Sequence, residues 1–224
     1  NVKTPGASGF NKDEDGYQFT SVDGSLQWTL SEQHALNLNL LVSEGEYDFD
    51  GAPFPAVSGT NAGNLRAVNE PTLRQLSLDW VAKWTPDWSS TVRVGQSDDL
   101  SPSRYWRESN NTLAGESRFN TSRQQLSWQN DLRIGKDTLT LLAERRQDEV
   151  DSTTAYTVRE RTTQGLLASY AKRAEAWDAL LTVRRDRNSQ FGSFNTWAVS
   201  GGYRLHADWR LVGNVGTTFQ APTF

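Results

Sequence analysis

The connections between the apolar segments of this chain alternate between short and long from one end to the other. Ten segments with a strand-like pattern follow one another. The short connections are Ser31 to His34, Thr85 to Asp87, Gly135 to Asp137, Lys172 to Ala176 and His206 to Asp208. The long ones cover Gly45 to Pro71, Ser97 to Glu116, Arg146 to Thr162 and Asp186 to Asn195. This alternation predicts an all-β fold, an antiparallel up-and-down transmembrane β-barrel segment with short periplasmic turns and long external loops.

Apolar and polar side chains also alternate within the segments, as they do in strands with one apolar face. In the third segment the apolar face carries Leu76, Leu78, Trp80, Ala82 and Trp84, whereas the opposite face carries Gln75, Ser77, Asp79 and Lys83. Each apolar stretch spans about 9 to 11 residues, the length that a tilted strand needs to cross hydrocarbon. The hydrophobic fraction of 36% and the mean hydropathy of -0.67 fit a wall that is apolar on the lipid side only.

Five tryptophans lie within a few residues of a short connection: Trp28, Trp84, Trp88, Trp177 and Trp209. Amphipathic aromatic rings concentrate at the level of the lipid head groups, so we interpret these five as one aromatic girdle. The alternative is that they pack in the core of a soluble protein. A soluble core gives no reason for their concentration beside turns.

Composition and residue placement argue against several other functions. The only two histidines, His34 and His206, fall in short connections, whereas Asp98 and Asp99 are predicted at the opposite rim. A hydrolase needs its base beside a carboxylate or serine, so we do not expect an enzyme. The net charge of -4 argues weakly against a nucleic-acid partner, and the absence of cysteine excludes a thiolate metal site.

Two acidic stretches could bind a metal ion together. Asp13, Glu14 and Asp15 precede Gly16 just before the first segment, and Glu44, Glu46, Asp48 and Asp50 begin the next long loop. Hard cations such as Ca²⁺ bind clustered carboxylate and carbonyl oxygens, and the two stretches would be hairpin neighbours. The alternative is a pair of solvated acidic loop bases, because the spacing differs from that of an EF-hand.

Arginines concentrate at the outer ends of the middle segments: Arg145, Arg146, Arg159, Arg161, Arg184, Arg185 and Arg187, interleaved with Glu144, Asp148, Glu160 and Asp186. One interpretation is a positive mouth that attracts an anionic ligand. The other is a set of mutually paired charges that line the rim. The sequence leaves both open.

Four sequence stretches resemble the barrel of TonB-dependent outer-membrane receptors. They are Phe119-Asn120-Thr121, then Ser127-Trp128-Gln129-Asn130-Asp131, then Arg185 to Gly192 (RDRNSQFG), and finally Gly216 to Thr223 (GTTFQAPT). The last stretch is common to the wider family. The Asn188 to Gly192 loop and the Asp13 to Gly16 opening lean towards the cobalamin branch of the family.

This resemblance implies a barrel of twenty-two strands in the outer membrane of a Gram-negative bacterium. It implies an N-terminal plug and an inner-membrane TonB complex as partners, together with the bilayer and a nutrient ligand, cobalamin or a metal chelate. By this resemblance Asp13 and Asp15 would bind calcium. Asp48 and Asp50, in the neighbouring loop, are the further predicted ligands. We expect residues 1–224 to be a wall segment that lacks the plug and the C-terminal strands. A siderophore or haem receptor and a passive porin-like channel remain alternatives.

Overall fold

The computed structural model describes residues 15–51 and 65–221, and its twelve strands form one antiparallel sheet. The strands are β1 (Tyr17–Thr29), β2 (His34–Phe49), β3 (Leu65–Asn69), β4 (Thr72–Thr85), β5 (Trp88–Leu100), β6 (Pro102–Arg107), β7 (Thr112–Ile134), β8 (Asp137–Ser152), β9 (Glu160–Arg173), β10 (Trp177–Asn188), β11 (Gly192–His206) and β12 (Trp209–Gly216). No helix in this part of the chain is long and apolar enough to span a membrane.

Ten long strands form the predicted meander, in the spatial order β1-β2-β4-β5-β7-β8-β9-β10-β11-β12. All five short connections are confirmed, because each joins two of these strands as an antiparallel hairpin. Three of them have two residues between the strands, and in the one between β7 and β8 Gly135 has a φ of 65°. A positive φ is inexpensive for glycine, which lacks a Cβ atom. The short turns therefore all lie along one edge of the sheet, which we call the turn end, and the opposite edge is the loop end.

The predicted number of strands is too low, because β3 and β6 lie within the two stretches assigned to loops, Gly45 to Pro71 and Ser97 to Glu116. The predicted loops also begin too early, since β2 continues to Phe49 and β8 to Ser152. Beyond the apolar belt both faces of a strand are polar, so the alternation disappears while the backbone ladder continues. A prediction based on alternation ends at the belt.

Prolines mark the points where two long strands are interrupted. Pro71 lies between β3 and β4, and Pro102 begins β6, with the single residue Ser101 between it and the end of β5. Proline has no N–H to donate to the ladder, but its carbonyl still accepts. Gly45 N donates to Pro71 O (2.9 Å), and Glu70 N donates to Pro102 O (3.0 Å). The sheet therefore continues past both interruptions into an extension at the loop end.

The extension consists of the end of β2, β3, β6 and the start of β7. It has a small hydrophobic core in which Leu65, Ala67 and Tyr105 are buried and Phe49 and Ala114 pack against them. The buried Asn69 amide at the strand interruption donates to Ser101 Oγ (3.0 Å) and Ser103 Oγ (2.8 Å). Most of the buried apolar side chains of the described residues thus lie in this extension rather than under the long strands.

The apolar face of the long strands is not covered by a second layer within the described residues. Leu181 is 49% exposed, and Trp80 and Leu132 are only half-buried. The five predicted girdle tryptophans all lie at the turn end and are between 41% and 72% exposed. Trp84 and Trp88 also anchor their indole N–H groups, to Ser90 Oγ (2.8 Å) and Asn130 Oδ1 (3.1 Å). These positions are those expected of a wall whose apolar face meets lipid.

The sheet ends in two edge strands, since β1 pairs only with β2 and β12 only with β11 among the described residues. An edge strand presents unpaired N–H and C=O groups and readily accepts a further strand. Within the described parts of the chain the wall is thus open on both sides.

Candidate functional site

Asp148 organises the largest charge cluster on the polar face, which is the face opposite to the apolar belt. Its side chain is 7% exposed and accepts hydrogen bonds from Arg123 Nε (2.6 Å) and Arg146 Nε (3.2 Å). Arg161 Nε lies 3.8 Å from the same carboxylate. The three arginines come from three adjacent strands, because Asp148 pairs with Arg123 across β7–β8 and with Arg161 across β8–β9. One buried carboxylate therefore links three strands at the loop end.

A second cluster centres on Arg184 of β10, also on the polar face. Its guanidinium donates to Asp186 of the same strand (2.8 and 2.7 Å) and contacts Glu144 of β8. Gly165 of β9 lies between the two acids, and a side chain there would collide with the Arg184 guanidinium at 2.6 Å. Because Gly165 has no side chain, the Arg184 side chain can cross over β9. For the arginines on the polar face, the structure thus confirms the interpretation that the charges are mutually paired.

The Asp148 cluster keeps an excess of positive charge after pairing. Three arginines, Arg123, Arg146 and Arg161, lie beside two carboxylates, Asp148 and Asp99. A groove of about 390 Å³ opens beside the Asp148 cluster and is lined by Gln75, Ser97, Asp99, Thr121, Arg123 and Arg161. Mixed amide, hydroxyl and guanidinium groups favour contact with a polar, hydrogen-bonding surface. The groove thus offers hydrogen-bonding groups beside the Asp148 cluster.

Three other arginines of the same segments lie on the opposite, apolar face, whereas Arg159 precedes β9. Arg145, Arg185 and Arg187 alternate with the inward-facing residues, are exposed, and make no ion pair with any described residue. This division was not predicted, although strand parity in the sequence indicates it: Arg145 has the parity of Leu141, and Arg185 and Arg187 have the parity of Leu181.

The predicted metal ligands fall partly outside the described residues, since Asp13 is not among them. Asp48 N donates to Gly16 O (3.0 Å), so the segment that carries Asp15 does lie against β2 as predicted. The Asp48 carboxylate, however, lies 3.4 Å from Arg66 Nε, and Asp50 is exposed. The described residues contain no group of three acidic, histidine or cysteine side chains that could hold a metal ion. The calcium site stays a prediction that depends on Asp13.

The two histidines occupy the predicted turn end. His34 begins β2, where its ring stacks on Trp80 (5.7 Å between ring centroids), and His206 ends β11. Asp98 and Asp99 lie near the other end of β5, and Asp98 accepts a hydrogen bond from Ser122 Oγ (2.7 Å). His34 thus serves the aromatic girdle and is remote from these carboxylates.

A three-donor clamp on Asp137 was not anticipated from the sequence. At the β7–β8 turn its carboxylate accepts hydrogen bonds from Lys172 Nζ (2.7 Å), Tyr170 Oη (2.7 Å) and Arg173 N (3.0 Å). The bond from Lys172 is the main reason that the pKa of Asp137 falls from 3.8 to about 2, with the Arg173 and Tyr170 bonds next. The same bond raises the pKa of Lys172. The clamp ties the start of β8 to the end of β9.

These features define the wall of an outer-membrane β-barrel: an exposed apolar belt, an aromatic girdle at the turn end and a charged inner face. The sequence model of the family "TonB dependent receptor-like, beta-barrel" matches residues 3–224. The chain therefore belongs to the TonB-dependent receptor family of the Gram-negative outer membrane.

Individual relatives agree with this assignment. The chain is 28% identical over 236 residues to the vitamin B12 transporter BtuB of Photobacterium profundum, and the match covers the whole chain and 36% of that protein. Its fold is similar to the ferric enterobactin receptor PfeA of Pseudomonas aeruginosa (TM-score 0.76, 15% identity, 99% of this chain and 36% of that one). It is also similar to the siderophore receptor PirA of Acinetobacter baumannii (TM-score 0.69, 16% identity, 96% and 35%). The chain thus spans about a third of the length of the relatives it matches.

Proposed function

We propose that this chain forms part of the barrel wall of a TonB-dependent transporter that binds vitamin B12, or a related nutrient, and imports it. The observation that supports this cargo most strongly is the 28% identity to a vitamin B12 transporter along the entire chain. The siderophore receptors with a similar fold are only 15% and 16% identical. The sequence similarity thus favours cobalamin over a ferric siderophore.

The role proposed for the wall is to hold and pass a ligand rather than to transform it. At the loop end, the polar face presents paired arginines and carboxylates beside amide and hydroxyl groups, all suited to hydrogen bonding. Neither histidine lies near the acids at that end. We therefore do not assign an enzymatic activity to the chain.

The remaining parts of the transporter are also part of the proposal. An N-terminal plug would fill the barrel and connect it to the inner-membrane TonB complex, and further strands would pair with the two open edges, β1 and β12. The excess of positive charge around Asp148 gives the plug a polar surface to dock on. The bilayer is the partner of the opposite face.

We include calcium in this proposal, bound by Asp13, Asp15, Asp48 and Asp50 at the loop end. The contact between Asp48 N and Gly16 O brings the two acidic stretches together, and oxygen-rich clusters suit calcium. Isothermal titration of the full-length protein with Ca²⁺ tests it. Binding should be lost in Asp15→Asn/Asp48→Asn and retained in Glu32→Gln, an acid at the turn end. Equal binding by both variants would contradict this site.

The second candidate function is that of a siderophore or haem receptor. It is favoured by the fold similarity to the ferric enterobactin receptor and to PirA. The two candidates predict different ligands for the same protein, and a competition experiment separates them.

The full-length protein, purified in detergent, should bind cyanocobalamin in preference to ferric enterobactin and haemin. In cells that lack their own cobalamin receptor, it should restore uptake of labelled cyanocobalamin only when the TonB complex is intact. Binding of the ferric siderophore or haemin alone would refute the cobalamin assignment. Uptake that does not depend on TonB would instead indicate the porin-like channel.

A further inference from the structure

We propose that Arg145, Arg185 and Arg187, the outward arginine patch, bind the phosphate groups of a lipid in the outer leaflet of the membrane. The inference depends on the chain being a wall of an outer-membrane barrel and not on the cargo that the transporter carries. It assigns a lipid site to a face that would otherwise be only a generic apolar surface.

The sheet register brings the three arginines together. Gln164 of β9 pairs with Arg145 of β8 on one side and with Arg187 of β10 on the other. The two arginines are therefore two strand spacings apart, about 10 Å. Arg185 lies two residues along β10 from Arg187, about 7 Å away, and pairs with Leu166. Three guanidinium groups thus surround one area of the outward face.

The charges in this patch are available for a ligand, in contrast to those on the inner face. Arg123, Arg146 and Arg184 all make ion pairs with carboxylates. The three outward arginines make none with the described residues. The next outward-facing acids along the strands, Glu149 and Glu160, lie four residues further towards the loops, about 13 Å away. A partner with negative charge is therefore needed to balance the patch.

The position of the patch along the strands corresponds to the boundary between hydrocarbon and head groups. On β8 the outward positions below Arg145 are Leu139, Leu141 and Ala143, and on β10 Leu181 and Val183 precede Arg185. The apolar belt thus ends one outward position before the first arginine. Because long loops of such barrels face outward from the cell, this boundary belongs to the outer leaflet.

A groove of about 950 Å³ on the same face joins the arginines to the apolar belt. Leu126, Trp128, Ala143 and Leu166 supply its apolar part, and Arg145, Arg185 and Arg187 supply the cationic edge. The volume and the two-part lining suit an amphiphile with acyl chains and a phosphate-bearing head group. Free inorganic phosphate would use the arginines but not the apolar part. Guanidinium groups bind phosphate oxygens in bidentate geometry, which ammonium groups cannot do.

The test is lipid binding by the full-length protein in nanodiscs. Discs of phosphatidylcholine are loaded with diphosphorylated lipid A, with its monophosphorylated form, or with phosphatidylglycerol, and retained lipid is counted by native mass spectrometry. We expect retention to follow the number of phosphates, with the diphosphorylated lipid retained best. Replacing all three arginines by glutamine should weaken that retention at least tenfold, the effect of losing about 1.4 kcal/mol. Arginine-to-lysine replacement at the same positions should recover only part of it.

The matched control removes three positive charges at the turn end, where the side chains also lack ion pairs with the described residues: Arg133→Gln, Arg173→Gln and Arg204→Gln. Its lipid retention should equal that of the unaltered protein. Unchanged retention in the patch variant would overturn the proposal, as would equal loss in both triple variants. Displacement of the lipid by inorganic phosphate at similar concentration would also overturn it, because the groove would then contribute nothing. Heat-modified gel mobility shows for each variant that the barrel has formed.

Discussion

Replacing Asp148 by asparagine should loosen the loop end of β7, β8 and β9 without unfolding the rest of the sheet. The substitution keeps the size of the side chain and removes its charge. Two arginines then lose a charged acceptor, at 2.6 and 3.2 Å, and a third loses a partner at 3.8 Å.

The size of the stability loss depends on how exposed the arginine partners of Asp148 are. A hydrogen bond to a charged group contributes about 1.5 to 3 kcal/mol, and breaking a fully buried ion pair costs about 3 to 5 kcal/mol. Asp148 is buried, but Arg123 and Arg146 are 54% and 37% exposed, so water recovers part of the loss. We therefore expect local stability to fall by about 2 to 3 kcal/mol.

Hydrogen exchange of the full-length protein in detergent measures this local opening. Backbone amides close to the paired positions Arg123, Asp148 and Arg161 should exchange about 30- to 160-fold faster in the variant. This range corresponds to a loss of about 2 to 3 kcal/mol, since 1.36 kcal/mol is a factor of ten. Amides of β11 and β12 should be unaffected. The control is Asp99→Asn, because Asp99 lines the same groove but its side chain makes no hydrogen bond or ion pair with a described residue. Equal protection in wild type and Asp148→Asn would refute the stabilising role of the cluster.

Three further outcomes are expected. Leu181→Arg should destabilise the barrel by about 2 to 4 kcal/mol, as lipid-facing charges do, whereas Leu180→Arg on the other face should not; urea unfolding in vesicles compares them. Asp137→Asn should lower the melting temperature at neutral pH. Because the pKa of Asp137 is lowered in the folded state, the clamp stabilises the fold above pH 3.8 and this stabilisation is lost towards pH 2. The difference in melting temperature between wild type and variant should therefore disappear across that range. A difference that stays constant with pH would contradict the clamp. Tyr105→Ala should cost the loop-end extension about 3 kcal/mol and expose it to protease, whereas Tyr105→Phe should leave it resistant.

The belt of the sheet could be predicted from sequence because lipid imposes a strict period of two on strands such as β4 and β10. The extension could not, because β3 and β6 carry no such alternation and are defined by backbone pairing across the proline interruptions. The pairing of β3 with β6 is non-local, and the Asn69 side chain bridges to Ser101 and Ser103 at its end. No spacing rule along the chain indicates such a bridge.

The charged residues show a similar limit. The sequence identified the arginine-rich segments but left their role open, because alternate residues of one strand serve different surroundings. Arg184 is paired inside the wall, and Arg185, its neighbour, is exposed on the outside. Strand parity relative to Leu181 would have separated them. The Asp137 clamp could not be predicted from the sequence, because the β8–β9 register brings together residues about 35 positions apart.

We expect the apolar face of this wall to contact acyl chains in the membrane. Spin labels placed singly at Leu180 and Leu181, neighbours on opposite faces of β10, test this contact in the full-length protein reconstituted in vesicles. The label at Leu181 should be accessible to oxygen dissolved in the bilayer and shielded from a water-soluble nickel complex, whereas the label at Leu180 should be much less accessible to oxygen. Equal oxygen accessibility at the two positions, or a label at Leu181 that is shielded from oxygen, would contradict it.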